Sequence, residues 1–193
     1  MSGSPGKRDF LSIDDITPDE LRVLLDDARR VKQDPASFRN RLADKRIALI
    51  FDKPSTRTRV SFEAGVSSMG GTSIVLRGDE LQLGRGETIE DTGRVLSRYV
   101  DAIVVRTFGQ DRLERLAEAA SVPVVNALSD FSHPCQCLAD LQTIHEKRGR
   151  LDGLTLAYLG DGNNVAHSLM FGGAKMGMDV RIGAPAGYQP FPQ

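Results

Sequence analysis

The chain has 193 residues, a formal net charge of -1, 26% charged and 40% hydrophobic residues, and two cysteines. That balance is ordinary for a soluble globular protein and supplies no global attraction to nucleic acid or to an acidic membrane surface. The length exceeds a typical single domain, falls short of two, and is enough to bury a sizeable core. No apolar run approaches the roughly 20 residues of a membrane helix, and the opening residues lack the apolar core of a signal peptide, so a soluble, cytoplasmic protein is expected. Cys135 and Cys137 are one residue apart. They are too close for an ordinary disulfide and too few for a structural zinc site, so two reduced thiols and no metal are expected.

The first element is a helix. Thr17 is a good N-cap, Pro18 suits the first helical position, and Glu20 completes a capping box. Ile16 and Leu21 stand where a hydrophobic staple forms, and Leu21, Leu24, Leu25, Ala28 and Val31 recur at helical spacing as one apolar face. The unbroken apolar run Ile47 to Phe51 then predicts a strand covered on both sides. Further strands are expected at Ser73 to Leu76, Ala102 to Val105, Val122 to Val125, Leu154 to Leu159 and Val180 to Ile182. Helices are expected at Thr56 to Met69, Thr88 to Val100, Arg112 to Ala120, Cys135 to Lys147 and Val165 to Met176. Alternating strands and helices predict an α/β fold, a parallel sheet flanked by helices, with ligands at the carboxyl ends of the strands. The stretch K-R-G-R-L-D-G after the helix at Cys135 to Lys147 suggests a boundary, giving a first domain over 1–148 and the beginning of a second α/β domain over 149–193.

Four segments carry chemistry. In Phe51 to Glu63 a buried strand ends, a short loop follows, and a helix opens with Ser55 or Thr56 as its cap. The first-turn amides and the helix dipole favour an anion there. Hydroxyls and two arginines add to this, since a guanidinium fork matches phosphate oxygens. The plainer alternative is a capped helix with surface arginines, Arg59 pairing with Glu63 four residues on. Arg106 directly follows the strand at Ala102 to Val105, at the same expected sheet edge. Taken alone it reads as a surface arginine. His133 and Gln136, in H-P-C-Q, follow the next strand and a polar loop, with Pro134 at a helix start. Three loops converging on one edge lift a functional reading of this histidine level with a structural one. Last, L-G-D-G-N-N-V-A-H-S (Leu159 to Ser168) is a glycine-rich turn between strand and helix. As a dinucleotide fingerprint it fails, because Val165 occupies the third glycine position. A loop contacting a small polar substrate through Asn163 and Asn164 accounts for it as well. His145 and His167 receive no role.

In this order and spacing, P-S-T-R-T-R with S-F-E and H-P-C-Q-C-L-A-D resemble the aspartate/ornithine carbamoyltransferase family over nearly the whole chain. Lys53 in F-D-K-P, the segment Gln82 to Thr92 and G-D-G-N-N-V resemble its ornithine-specific members more than its aspartate-specific ones. The resemblance implies that carbamoyl phosphate and L-ornithine are the substrates, that citrulline and phosphate are the products, and that no cofactor is needed. It implies that Ser55, Thr56, Arg57 and Thr58 hold the phosphate, and that Gln82 reaches the site from a neighbouring subunit of a trimer. It also implies that Arg106, His133 and Gln136 hold the carbamoyl group, with Arg106 and His133 near its carbonyl oxygen, and that Asn164 contacts ornithine. Another acceptor, aspartate or putrescine, is the alternative within the family. A fragment that only binds phosphate-type anions, and a nonenzymatic phosphate- or nucleotide-binding module, are the alternatives of another kind. The family's later acceptor-binding segments and its H-C-L-P loop have no counterpart here, so the second domain is expected to be incomplete.

Overall fold

The computed structural model describes residues 6–78 and 86–191. Its larger sheet has four parallel strands, β1 (Arg46–Phe51), β2 (Thr72–Arg77), β3 (Ala102–Arg106) and β4 (Val124–Leu128), in the order β2-β1-β3-β4. Strands β5 (Thr155–Leu159) and β6 (Asp179–Gly183) form a separate parallel pair. Six α-helices are described: α1 (Pro18–Gln33), α2 (Thr56–Ser68), α3 (Ile89–Leu96), α4 (Gln110–Ala119), α5 (Pro134–Arg148) and α6 (Asn164–Lys175). The expected parallel α/β architecture is the observed one. None of these helices is long and apolar enough to cross a membrane.

Successive strand residues face opposite sides of the sheet, so the apolar run of β1 feeds two cores. Ala48, Ile50, Ile103 and Val105 pack with Leu113 and Leu116 of α4 on one side. Ile47, Leu49, Phe51 and Val104 pack with Val66 of α2 on the other. A third core joins the amino-terminal segment to the β5–β6 unit through Ile13, Leu21, Cys137, Leu141, Leu169 and Met176. There α5 and α6 approach so closely that a Cβ on Gly172 would overlap the Cys137 sulfur.

Three expectations on elements are corrected. The fourth strand starts and ends later than Val122 to Val125, because it includes Asn126, which is fully buried. A polar residue interrupts an apolar pattern, but here its amide donates to Leu11 O at 2.8 Å and its backbone N–H bonds Phe10 O. Helix α3 stops at Leu96, four residues short of Val100, where tight turns by Arg98 and Tyr99 replace the helical ladder. Leu24 is 40% exposed, so α1 buries a narrower face centred on Leu21 and Leu25. The capping box of Thr17 and Glu20 forms as expected, with Thr17 N–H bonding the Glu20 carboxylate at 2.7 Å.

Candidate anion-binding site

The carboxyl ends of β1, β3 and β4 lie side by side, and each releases one of the loops singled out in the sequence. After β1, Ser55 rather than Thr56 caps α2: its Oγ accepts from Thr58 N–H at 3.3 Å and donates to Thr58 Oγ1 at 2.9 Å. The amides of Thr56 and Arg57 occupy the first two helical positions, where no carbonyl lies one turn earlier to accept them. Arg106 is the last residue of β3, and His133 caps α5 with Pro134 at its first position.

These loops enclose a cleft of about 400 Å3 lined by Ser55, Arg57, Thr58, Arg106, His133 and Gln136. Arg106 Nη1 lies 3.5 Å from Thr58 Oγ1, and its Nε is buried with no partner among the described residues. His133 Nδ1 is also buried and unpartnered among them. Burial lowers the affinity of the Arg106 guanidinium for its proton, though an arginine remains charged at any physiological pH. Burial, and then the Arg106 charge, push His133 down to about 4, so its ring is neutral near pH 7. Arg57 is exposed and forms no ion pair among the described residues, whereas Arg59 is engaged by Glu63 at 2.7 Å. Gln136 donates to Asp140 at 2.9 Å, leaving its amide oxygen uncommitted.

Thr56 faces away from this cleft, into a larger hollow of about 710 Å3 that it shares with Ser55, Asp52, Arg59 and Arg77. Size favours that hollow, but chemistry favours the smaller cleft. In the hollow Arg59 is neutralised, and Asp52 contributes a carboxylate bonded by Thr107 at 2.7 Å with Arg112 3.6 Å away. The cleft instead joins two arginines, a helix amino terminus and unpaired donors, which receive negative charge. Gln82 lies outside the described residues.

Asn164 stands apart from the cleft, its amide donating to Ser129 O at 2.7 Å. Asn163 is the cap of α6, its Oδ1 accepting from Val165 N–H at 3.0 Å and from Ala166 N–H at 3.4 Å. The Asn-Asn pair therefore has a structural explanation as well as a substrate-contacting one. His167 is 3% exposed; its Nε2 accepts from Phe191 N–H at 3.1 Å, which leaves Nδ1 to donate to Phe131 O at 2.9 Å.

Sequence reasoning missed two features of this edge. Lys53 pairs with Asp130, and its ammonium stands 4.4 Å from the centroid of the Phe108 ring. Asp130 N–H also donates to Phe108 O at 2.7 Å. The loops after β1, β3 and β4 are thereby tied to one another. Only the residue types could have hinted at this, because the partners lie far apart in sequence. Cys135 also lines the cleft, with its thiol donating to Asn126 O at 3.4 Å. Burial pushes that thiol up to about 12, so it is a protonated wall and a poor nucleophile.

The chain is a parallel α/β protein that gathers a helix amino terminus, arginines and an imidazole at one sheet edge, around a candidate anion cleft. Two family models match it: the carbamoyl-P binding domain of aspartate/ornithine carbamoyltransferase over residues 8–146, and the Asp/Orn binding domain over residues 152–193. The chain belongs to the aspartate/ornithine carbamoyltransferase family. It is 59% identical over 189 residues to an ornithine carbamoyltransferase of Parafrankia sp., a match covering 96% of this chain and 60% of the relative. A similar enzyme of Acidothermus cellulolyticus is 58% identical over 185 residues, with 96% and 59% covered. Among solved structures, the ornithine carbamoyltransferase from Pyrococcus furiosus superposes with a TM-score of 0.92 at 50% identity, covering 98% of this chain and 61% of that one. The chain thus spans about 60% of the length of the curated relatives it matches.

Proposed function

We propose that this chain binds carbamoyl phosphate at the cleft between β1, β3 and β4. We further propose that the protein it represents transfers the carbamoyl group to the side-chain amine of L-ornithine, giving L-citrulline and phosphate. The observation that carries this reading is the meeting of Ser55, Arg57, Thr58, Arg106 and His133 in one cleft, with donors left unpaired there. The family membership and the ornithine enzymes among its relatives support the acceptor. Aspartate and putrescine are the competing acceptors.

In this reading the α2 terminus takes the phosphate through the Thr56 and Arg57 amides, the Ser55 and Thr58 hydroxyls and the Arg57 fork. Arg106 and His133 face the carbamoyl carbonyl oxygen, and Gln136 completes the carbamoyl contacts. The neutral amine of ornithine attacks the carbamoyl carbon, and negative charge develops on the carbonyl oxygen. Arg106, already buried and charged, needs no rearrangement to receive it, and His133 supplies a neutral donor from its ring. Donors of that kind are worth about 3 to 4 kcal/mol each in the transition state. The C–O bond to phosphate then breaks, the attacking nitrogen gives up one proton to the departing phosphate, and the phosphate leaves with its remaining charge held by Arg57 and the helix start. Holding both reactants in one cleft supplies much of the remaining acceleration by orientation.

The same reading divides the chain into an anion-binding unit over 1–148 and an acceptor-binding unit from 149, to which Asn164 contributes. It also has Gln82 crossing to a neighbouring site in a homotrimer, in a cytoplasmic enzyme of arginine biosynthesis. The experiment is a calorimetric titration of the chain with carbamoyl phosphate, with Arg57→Ala as control, followed by product analysis with ornithine, aspartate and putrescine. Binding lost in the variant supports the anion site; no binding by the folded parent overturns it. Carbamoylation of aspartate or putrescine in preference to ornithine overturns the acceptor.

A further inference from the structure

The His133 ring has no side-chain partner that fixes it: Nδ1 is buried and unbonded among the described residues. Its direction therefore follows from its backbone, which sits at φ -131° and ψ 66° and precedes Pro134, a position with few allowed conformations. Two bonds hold that backbone. The carbonyl accepts from Cys137 N–H at 3.2 Å, within the same helix. The N–H donates to the Ser168 hydroxyl at 2.8 Å, on α6 of the other unit.

Ser168 is 1% exposed and fully committed. A hydroxyl offers one hydrogen and two lone pairs. Here the hydrogen goes to Asn164 O at 2.9 Å, one lone pair takes the His133 N–H, and Ser132 Oγ lies 3.3 Å away to donate to the other. The rest of α6 grips the preceding loop, through Asn164 to Ser129 O at 2.7 Å and His167 to Phe131 O at 2.9 Å. Among the described residues of α6, Ser168 alone bonds His133 itself. We infer that Ser168 is a positioning residue for His133, through which helix α6 of the second unit sets the geometry of the anion cleft.

The inference rests on the proposed function for the identity of the ligand, not for the hydrogen bond. The test compares Ser168→Ala with Leu169→Ala, which removes buried bulk from the same helix and leaves the Ser168–His133 hydrogen bond in place. Carbamoyl phosphate is titrated into each chain, and the His133 ring is titrated by NMR. Ser168→Ala leaves a buried N–H unbonded, and affinity is expected to fall about tenfold. The ring pKa is expected to rise from about 4 toward the free imidazole value as its setting loosens. Leu169→Ala should lose stability while keeping both values. Parent-like affinity and ring titration in Ser168→Ala, or equal shifts in Leu169→Ala, would overturn the assignment. If Ser168→Ala does not fold, amide exchange in the parent decides: a protected His133 N–H supports the assignment, and exchange as fast as an open loop refutes it. Should the parent ignore carbamoyl phosphate, the functional reading fails, while ring titration and amide exchange still judge Ser168.

Discussion

The neutral histidine at the cleft predicts a specific pH response. His133 is held down to about 4, while an unfolded histidine titrates near 6.5, so the unfolded chain takes up this proton first as pH falls. The stability that this site contributes is therefore complete above about pH 6.5 and is lost progressively as the pH drops toward about 4. Integrating that linkage between about pH 7.5 and about pH 5 gives about 2 kcal/mol for the full shift. Solvent reaches part of the half-buried ring, which reduces the expectation to about 1 kcal/mol. The assay is urea unfolding of the parent and of His133→Gln at both pH values. Taking the difference between the two proteins removes the contributions of every other group. The parent should lose about 1 kcal/mol more than the variant on acidification. An equal loss in both proteins would show that His133 titrates normally and that Arg106 and burial do not hold it neutral.

Arg57→Ala should raise the dissociation constant for carbamoyl phosphate at least about tenfold while leaving the unfolding midpoint within error, because the side chain is exposed and a bond to a charged ligand is worth roughly 1.5 to 3 kcal/mol; unchanged calorimetric affinity would remove it from the site. Ser55→Ala should destabilise the chain by about 1 kcal/mol through loss of the α2 cap, measured by urea unfolding. Gly172→Ala should cost more, roughly 2 kcal/mol, because the new methyl meets the Cys137 sulfur and lies 3.1 Å from Leu141 Cδ1; a wild-type melting temperature would mean that α5 and α6 separate freely. Thiol titration with an aromatic disulfide at neutral pH should be slow for both cysteines until denaturant is added, since burial pushes each up to about 12.

The parts legible in the sequence are those written in local signals. The Thr17–Glu20 capping box, the apolar run of β1 and the strand–loop–helix of Phe51 to Glu63 each declare themselves within a few residues. The convergence of Arg106 and His133 followed from topology, since adjacent parallel strands send their loops to one edge. What escaped depends on partners distant in the chain. Asn126 interrupts an apolar pattern yet belongs to β4, because Phe10 and Leu11, more than a hundred residues earlier, satisfy it. Ser55 over Thr56 as cap, and the turning of Thr56 toward the other hollow, are matters of a single rotation that spacing does not encode. The Lys53–Asp130–Phe108 tie and the Ser168–His133 bond join segments whose residue types carry no address for one another.

Helix α5 belongs to two neighbourhoods at once. Its first turn walls the anion cleft, while Cys137 and Leu141 are buried against Leu169, Met176 and the amino-terminal Ile13 and Leu21. During synthesis the chain emerges amino end first, so Ile13 and Leu21 wait for partners made about 150 residues later. At about 5 to 20 residues per second, that wait lasts on the order of ten seconds or more, far beyond the time in which a helix or hairpin forms. The four-stranded sheet can assemble meanwhile, but the segment carrying Ile13 keeps an uncovered apolar side until α6 arrives. A nascent chain of this protein thus keeps that apolar side open to solvent for as long as translation from α1 to α6 takes.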